Sequence, residues 1–408
     1  MNKQATMFTG RDGRSLLVPF LLVASLFFLW GFAHSILDVL NKHFQEVLVI
    51  SKARSALVQA AVYGGYFLMA LPAGMIIRRR GYRFGVVLGL LLYGTGALLF
   101  IPGAGMMSFP FFLLCLLIIG CGLTCLETSA NPYVTVLGSP DAAARRLNLA
   151  QSLNGLGWMA GPMAGGLLIL GDDSDIALPY AVVGCVVLVL AFVFSRVKLP
   201  EVSENDDTVE SRELGGTVHR SIWRMPSFVF GVIALFFYVA AQTGINSFFI
   251  NYVTESDPAI SSQTAAVLLS LGGMGMFFIG RLLGTWVMKY LRPSRLVLLF
   301  ALCASVCMAL VIAGVGRLSV IALCATYLFE SIMFPTIFSM AIAGISGPET
   351  KTASSVLIMS IVGGAVAPVV MGLIGERVMA VGFILPLVCF IVIAAYSFWY
   401  GRRKPMRA

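Results

Sequence analysis

Four ionisable residues stand inside long apolar runs: Asp38, Glu127, Arg281 and Glu330. A charge at the centre of a bilayer costs about 2.5–3.5 kcal/mol even on the most lenient scale, so residues of this kind mark ion pathways, proton relays or ligand contacts. Asp38 follows His34 by four residues and precedes Asn41 by three, which puts all three on one helix face. A carboxyl in a confined, partly dry space changes its protonation in response to small changes around it. Asp38 therefore suits a cation-coupling site: for a proton by itself, or for sodium with Asn41 as a second oxygen ligand. The alternative is a solvated acid near the outer end of its helix, paired with Lys42. Glu127 has Asn131 one turn on and Pro132 next. Proline removes a backbone donor and loosens the turn before it. A carboxylate there accepts two hydroxyls at once, as a polyol requires; the alternative is a buried acid bonded to a neighbouring helix.

Neutral polar residues extend these two centres. Asn148, Gln151 and Asn154 recur every three residues. Amides donate and accept, as sugar hydroxyls do, and they also hold membrane helices together. Gln151 and Asn154 are assigned to ligand contact, and Asn148, nearest the loop, to structure. Gln242 and Asn246 share a helix face by the same spacing. Trp30, Tyr63, Tyr66 and Phe334 offer flat faces for the apolar side of a sugar ring. For Glu330 three roles stay open: ligand contact, second titrating site or helix–helix hydrogen bond. Arg281 lies in Gly280-Arg281-Leu282-Leu283-Gly284, and Arg78 in the stretch from Gly74 to Gly81. Small residues let helices approach closely, and the two stretches resemble the paired cytoplasmic loop motifs of the major facilitator superfamily, a resemblance that implies a gating role for both arginines.

The elements that must position these groups are helices. Of 408 residues 59% are hydrophobic and 12% charged, against about 25% charged in a soluble domain. A soluble enzyme, a disordered chain and a nucleic-acid binder are excluded. The long unbroken runs indicate helices rather than a barrel of alternating strands. The expected spans start near Leu16, Ala56, Phe84, Phe109, Leu147 and Pro179, and then near Phe228, Ala265, Leu296, Ser319, Ala353 and Gly382. The polar, acid-rich stretch 197–224 divides the chain into a six-helix bundle at 1–196 and another at 225–408. With the first residues inside, tails and cytoplasmic loops hold 22 of the 28 Lys and Arg and the outer loops five. This asymmetry predicts both termini in the cytoplasm. The polar stretch Met1–Arg14 leads straight into a full span, so a retained N-terminus is expected rather than a cleaved signal. The eight cysteines lie in apolar stretches without zinc or disulfide spacing.

The halves repeat each other. Glu127 stands five residues before Pro132, and Glu330 five before Pro335. Gly161-Pro162 answers Ala367-Pro368, and Trp30, His34 and Asp38 answer Tyr238, Gln242 and Asn246 at equal spacing. Two such six-span halves with a cytoplasmic linker are the architecture of the major facilitator superfamily, whose halves rock about a midplane site.

Several stretches resemble one family within it, the fucose–galactose–glucose cation symporters. They are the run from Phe28 to Asp38, Cys125-Leu-Glu-Thr-Ser-Ala-Asn-Pro132, the run from Arg146 to Asn154, Ala241-Gln-Thr-Gly-Ile-Asn246, and Phe334-Pro-Thr-Ile-Phe-Ser339. The resemblance implies twelve helices and uptake of a monosaccharide such as fucose, galactose or glucose, driven by a proton or, in some relatives, by sodium. It carries the functional carboxylates onto Asp38 and Glu127 and the sugar-contacting amides onto Gln151 and Asn154. Glu330 stands where the family usually has a neutral residue. The candidate substrate set is Glu127, Asn131, Gln151, Asn154, Trp30, His34, Gln242, Asn246, Glu330 and Phe334. No cofactor beyond the coupling ion is expected, and the expected partners are a sugar and the lipid of the inner membrane, for a protein acting as a monomer. Export of sugars or drugs by the same fold is the competing transport reading. An apolar drug pocket would lack convergent amides. Enzyme chemistry and ATP drive lack their motifs, since no paired metal spacing, nucleophile elbow or phosphate loop occurs.

Overall fold

The computed structural model describes residues 15–136, 143–171, 176–197, 222–345, 353 and 356–402. Nearly all of them are helical, because in lipid only a helix or a closed barrel satisfies every backbone polar group within itself. Eleven helices among the described residues are long and apolar enough to cross a membrane. They are α1 (Leu17–Val47), α2 (Lys52–Ile77), α3 (Arg79–Met106), α4 (Phe109–Asn131), α6 (Ala177–Arg196), α7 (Pro226–Ser256), α8 (Ser262–Val287), α9 (Pro293–Ala313), α10 (Arg317–Ile342), α11 (Val356–Ile374) and α12 (Met379–Arg402). The fifth position is filled by α5 (Ala143–Leu168), whose 26 residues carry the amide stripe and are correspondingly less apolar. Every expected span has its helix. Large apolar side chains such as Leu71, Val189, Ile321 and Leu373 are exposed, as lipid-facing surface requires.

The helices fall into two compact units, 1–40 with 61–204, and 41–60 with 205–408. In the first unit, α1 and α5 touch backbone to backbone. A Cβ on Gly157 would collide with the Phe28 carbonyl, and one on Gly31 with the Asn154 carbonyl. The Asn154 amide seals this seam by donating to Phe27 O at 3.0 Å. Gly81, at φ 81°, kinks the first turn of α3, a left-handed conformation that favours glycine.

In the second unit two spans are irregular. α8 carries a wide π-turn at Leu269–Met274, between α-helical stretches on either side, and such turns occur mostly at functional positions. α10 runs from Arg317 to Glu330 and resumes at Met333. The cause is Pro335, whose ring displaces the carbonyl of Ser331 four residues earlier. Segment 41–60 belongs to this unit although the sequence halves assign it to the first bundle. Polar bonds explain this. Asn41 Nδ2 donates to Ser247 O at 2.5 Å, and Asn251 Nδ2 donates to Gln45 Oε1 at 2.6 Å. Lys52 pairs with Glu255 at 2.6 Å and donates to Gly375 O at 2.9 Å. The Glu376 carboxylate accepts from the backbone of Lys52 and Ala53. Of the expected linker, 198–221 lies outside the described residues, and Ile222–Arg224 forms a 3-10 turn.

Candidate functional site

In the first unit the helices bring Trp30, His34, Glu127 and Asn131 together. Helix α1 presents Trp30 and His34 one turn apart, and α2 sets Tyr63 and Tyr66 against His34, with ring centroids at 5.7 and 5.4 Å. Trp30 meets His34 edge-on at 6.2 Å, while Trp158 of α5 stacks on it at 5.9 Å and 16°. His34 thus sits in a cage of four aromatic rings. Its Nε2 lies 3.0 Å from the Tyr66 hydroxyl. That hydroxyl also stands beside the Glu127 carboxyl of α4. The sequence offered Tyr66 only as a flat face. Trp158 was missed, though it continues the Gln151–Asn154 face by one more turn.

Beside the cage, Glu127 lines a small cavity with Leu26, Phe27, Trp30, Leu126, Ala130 and Asn131. Trp30 Nε1 and Asn131 Oδ1 have no hydrogen-bond partner among the described residues. Leaving a buried donor or acceptor unsatisfied costs about 1–3 kcal/mol. The residues around this cavity thus carry one free donor, one free acceptor and a carboxyl among aromatic and aliphatic carbon. This set complements a molecule with adjacent hydroxyls and an apolar ring face.

The amides divide. Gln151 is half-buried on α5, whereas the Asn154 amide is spent on Phe27 O, behind the cavity wall. The side chains of Asn148 and Pro132 lie outside the described residues, as does that of Arg78. Asp38 is fully enclosed, 1% exposed, one turn beyond His34, while Lys42 forms an ion pair with Glu46 at 3.4 Å. Asn41 is buried, with its amide committed to Ser247 O and its Oδ1 3.5 Å from Gln45 Nε2.

In the second unit, Tyr238 and Phe334 approach at 6.0 Å. Gln242 is half-buried. Asn246 is buried and its Oδ1 has no partner among the described residues. Glu330 is 0% exposed, and neither carboxyl oxygen has a partner among them. Arg281 lies 4.8 Å over the Phe277 ring with its Nε unpartnered among the described residues. The contacts tying Lys52 to Glu255 and Gly375 had no signal in the sequence, since their residues stand more than 200 positions apart.

Known proteins agree with this architecture. The family model described as Major Facilitator Superfamily matches residues 20–361. A glucose/galactose transporter of Brucella abortus biovar 1 (strain 9-941) is 34% identical over 382 residues, 91% of each chain. The L-fucose-proton symporter of Escherichia coli K12 is 35% identical over 414 residues, covering 95% of this chain and 94% of that one. A crystal structure of the E. coli fucose:proton symporter superposes with a TM-score of 0.67 at 33% identity, over 96% of this chain and 100% of the other. A D-xylose-proton symporter, 13% identical, shares the fold at a TM-score of 0.75. The chain belongs to the Major Facilitator Superfamily and, within it, to the fucose–galactose–glucose cation symporters.

Proposed function

We propose that this protein is a secondary active transporter that takes up a neutral monosaccharide by symport with a proton. The observation that carries the reading is the cavity lined by Glu127, Trp30 and Asn131, of which the indole N–H and the amide oxygen have no partner among the described residues. Glu127 accepts sugar hydroxyls, Asn131 Oδ1 takes another, and the indole covers the apolar ring face. Gln151 adds an amide from α5. Gln242, Asn246 and Phe334 are the substrate-contact residues proposed for the second bundle.

Asp38 is the coupling group. A charged carboxylate is costly to seal into a dry, closed cavity, whereas a neutralised one is not. Protonation of Asp38 therefore lowers the cost of the closed state and ties the change of access to the bound ion. The proton is favoured over sodium because a hard cation needs several oxygen ligands, and the amide of Asn41 is already committed. The loop asymmetry supports an orientation with both termini in the cytoplasm, and Arg78 and Arg281 serve as gating residues at that face.

The test is uptake of labelled fucose, galactose and glucose into liposomes. Accumulation of one of them on an imposed proton gradient, with no accumulation on a sodium gradient, is expected. Sugar accumulation on sodium alone contradicts the ion, and no flux of any monosaccharide contradicts the substrate class. Cysteines introduced at residue 205 or 406 are expected to react only from the cytoplasmic side of sealed cells, and labelling from outside overturns the orientation.

A further inference from the structure

The proposed symport uses Asp38 on α1 and Glu127 on α4 but says nothing of how a proton passes between the two helices. Between them stand His34 and Tyr66. The Tyr66 hydroxyl lies 3.0 Å from His34 Nε2, and the Glu127 carboxyl stands on its other side. A phenol carries one proton and two acceptor sites, so it can donate to one neighbour while accepting from the other. A neutral imidazole does the same through its two nitrogens, and the tautomer decides which one donates. His34 in turn stands one helical turn before Asp38.

We infer that His34, Tyr66 and Glu127 form a proton wire that loads the Glu127 carboxylate from the α1 side without opening the sugar cavity to water. The clause on the coupling ion above is its premise. The wire starts with Nε2–H of His34 donating to the Tyr66 oxygen and the Tyr66 O–H donating to the Glu127 carboxylate. A proton given up by the protonated Asp38 carboxyl, whose O–H bond breaks, forms an N–H bond at Nδ1. The Nε2–H bond breaks and its proton becomes the hydroxyl proton of Tyr66. The former hydroxyl proton passes to Glu127 as its new O–H. One proton has entered the wire from Asp38, the Glu127 carboxylate has become a carboxylic acid, and tyrosine and histidine are neutral again. His34 has changed tautomer, and both hydrogen bonds now point the other way.

The surroundings suit this role. Trp30, Tyr63 and Trp158 pack the remaining faces of the His34 ring, which keeps out water that would short-circuit the transfer and fixes the ring against Tyr66. The ionisable groups nearest the wire are its own members, with Tyr63 on α2 beside Tyr66 at 6.2 Å and Asp38 one turn along α1. Among the described residues, no charged partner of the imidazole appears beside its aromatic cage. A second consequence follows: sugar hydroxyls that bind Glu127 compete with Tyr66 for the same oxygens, so sugar and proton states of the carboxyl are linked.

The experiment compares Tyr66→Phe and His34→Gln with the unaltered protein in liposomes. Phenylalanine keeps the ring that packs on His34 and removes the hydroxyl, while glutamine keeps a donor and an acceptor but cannot relay a proton. Exchange of labelled sugar without a gradient is measured beside accumulation on a proton gradient and beside proton uptake on sugar addition. In both variants, accumulation and proton uptake are expected to fall about tenfold further than exchange, as loss of a positioned proton donor implies. Accumulation that falls no further than exchange in either folded variant overturns the wire. So does an equal loss of exchange and accumulation, which would make the pair part of the sugar pocket. If the unaltered protein exchanges sugar but does not accumulate it on protons, the premise has failed rather than the wire.

Discussion

Glu127 and Glu330 begin from the same pattern, an acid five residues before a proline in the middle of a span, and end in different surroundings. In the first unit the helix runs unbroken through the motif, from Phe109 to Val136. Its acid lines a cavity and meets a tyrosine hydroxyl. In the second unit the helix is interrupted after Glu330, and the acid is sealed with both oxygens unpartnered among the described residues. The difference teaches that a repeat conserves where an acid stands, while the neighbouring helices decide what it can do. Tyr66, His34 and Trp158 give Glu127 a donor and a route. The place around Glu330 is filled by packed helix instead: a Cβ on Gly280 would collide with the Leu328 carbonyl.

Substitutions can break or sharpen this contrast. The largest effect is expected at Glu127. Glu127→Ala removes a hydrogen bond to a charged group, worth about 1.5–3 kcal/mol, so sugar affinity should fall about ten- to a hundredfold while the protein still inserts and folds. Binding of labelled sugar to the purified protein measures it, and an unchanged affinity would place Glu127 in the scaffold.

A smaller effect is expected at Asn154, and on a different quantity. Its amide holds Phe27 O across the α1–α5 seam. Asn154→Ala should therefore lower thermal stability by the worth of one interhelical hydrogen bond, about 0.6 kcal/mol and at most about 2. Sugar affinity should fall less than in Glu127→Ala. A loss of affinity equal to that of Glu127→Ala, with stability untouched, would return Asn154 to direct sugar contact.

The smallest effect is expected at Glu330. Glu330→Gln keeps the shape and removes the ionisable group. Uptake should change less than about twofold, since a buried carboxyl without a partner gains nothing from being charged. Abolished uptake would show that the second acid belongs to the primary mechanism and that the two units are more alike than their surroundings suggest.

The fold was largely legible, because a run of about 20 apolar residues has few other fates. Expected spans such as Phe228–Val253 and Leu296–Ala313 match Pro226–Ser256 and Pro293–Ala313 closely. The acid centres were legible for the same reason, as charge is conspicuous in a membrane. Segment 41–60 was not, because its attachment rests on contacts such as Lys52 with Glu255 and Glu376, which no local spacing announces. Asn154 shows another limit. The stripe placed it facing something polar, and that something is a backbone carbonyl. Tyr66 shows a third, since an aromatic residue in an apolar helix reads as packing until its hydroxyl is seen between two functional side chains.

The most direct measurement concerns Asp38, enclosed one turn beyond the caged histidine. Asp38→Asn fixes the coupling group in its neutral state. In liposomes the variant should still exchange labelled sugar across the membrane, and it should lose accumulation on an imposed proton gradient, because no ion is then needed to release the closed state. Accumulation by the variant at the level of the unaltered protein would contradict the assignment of coupling to the first unit.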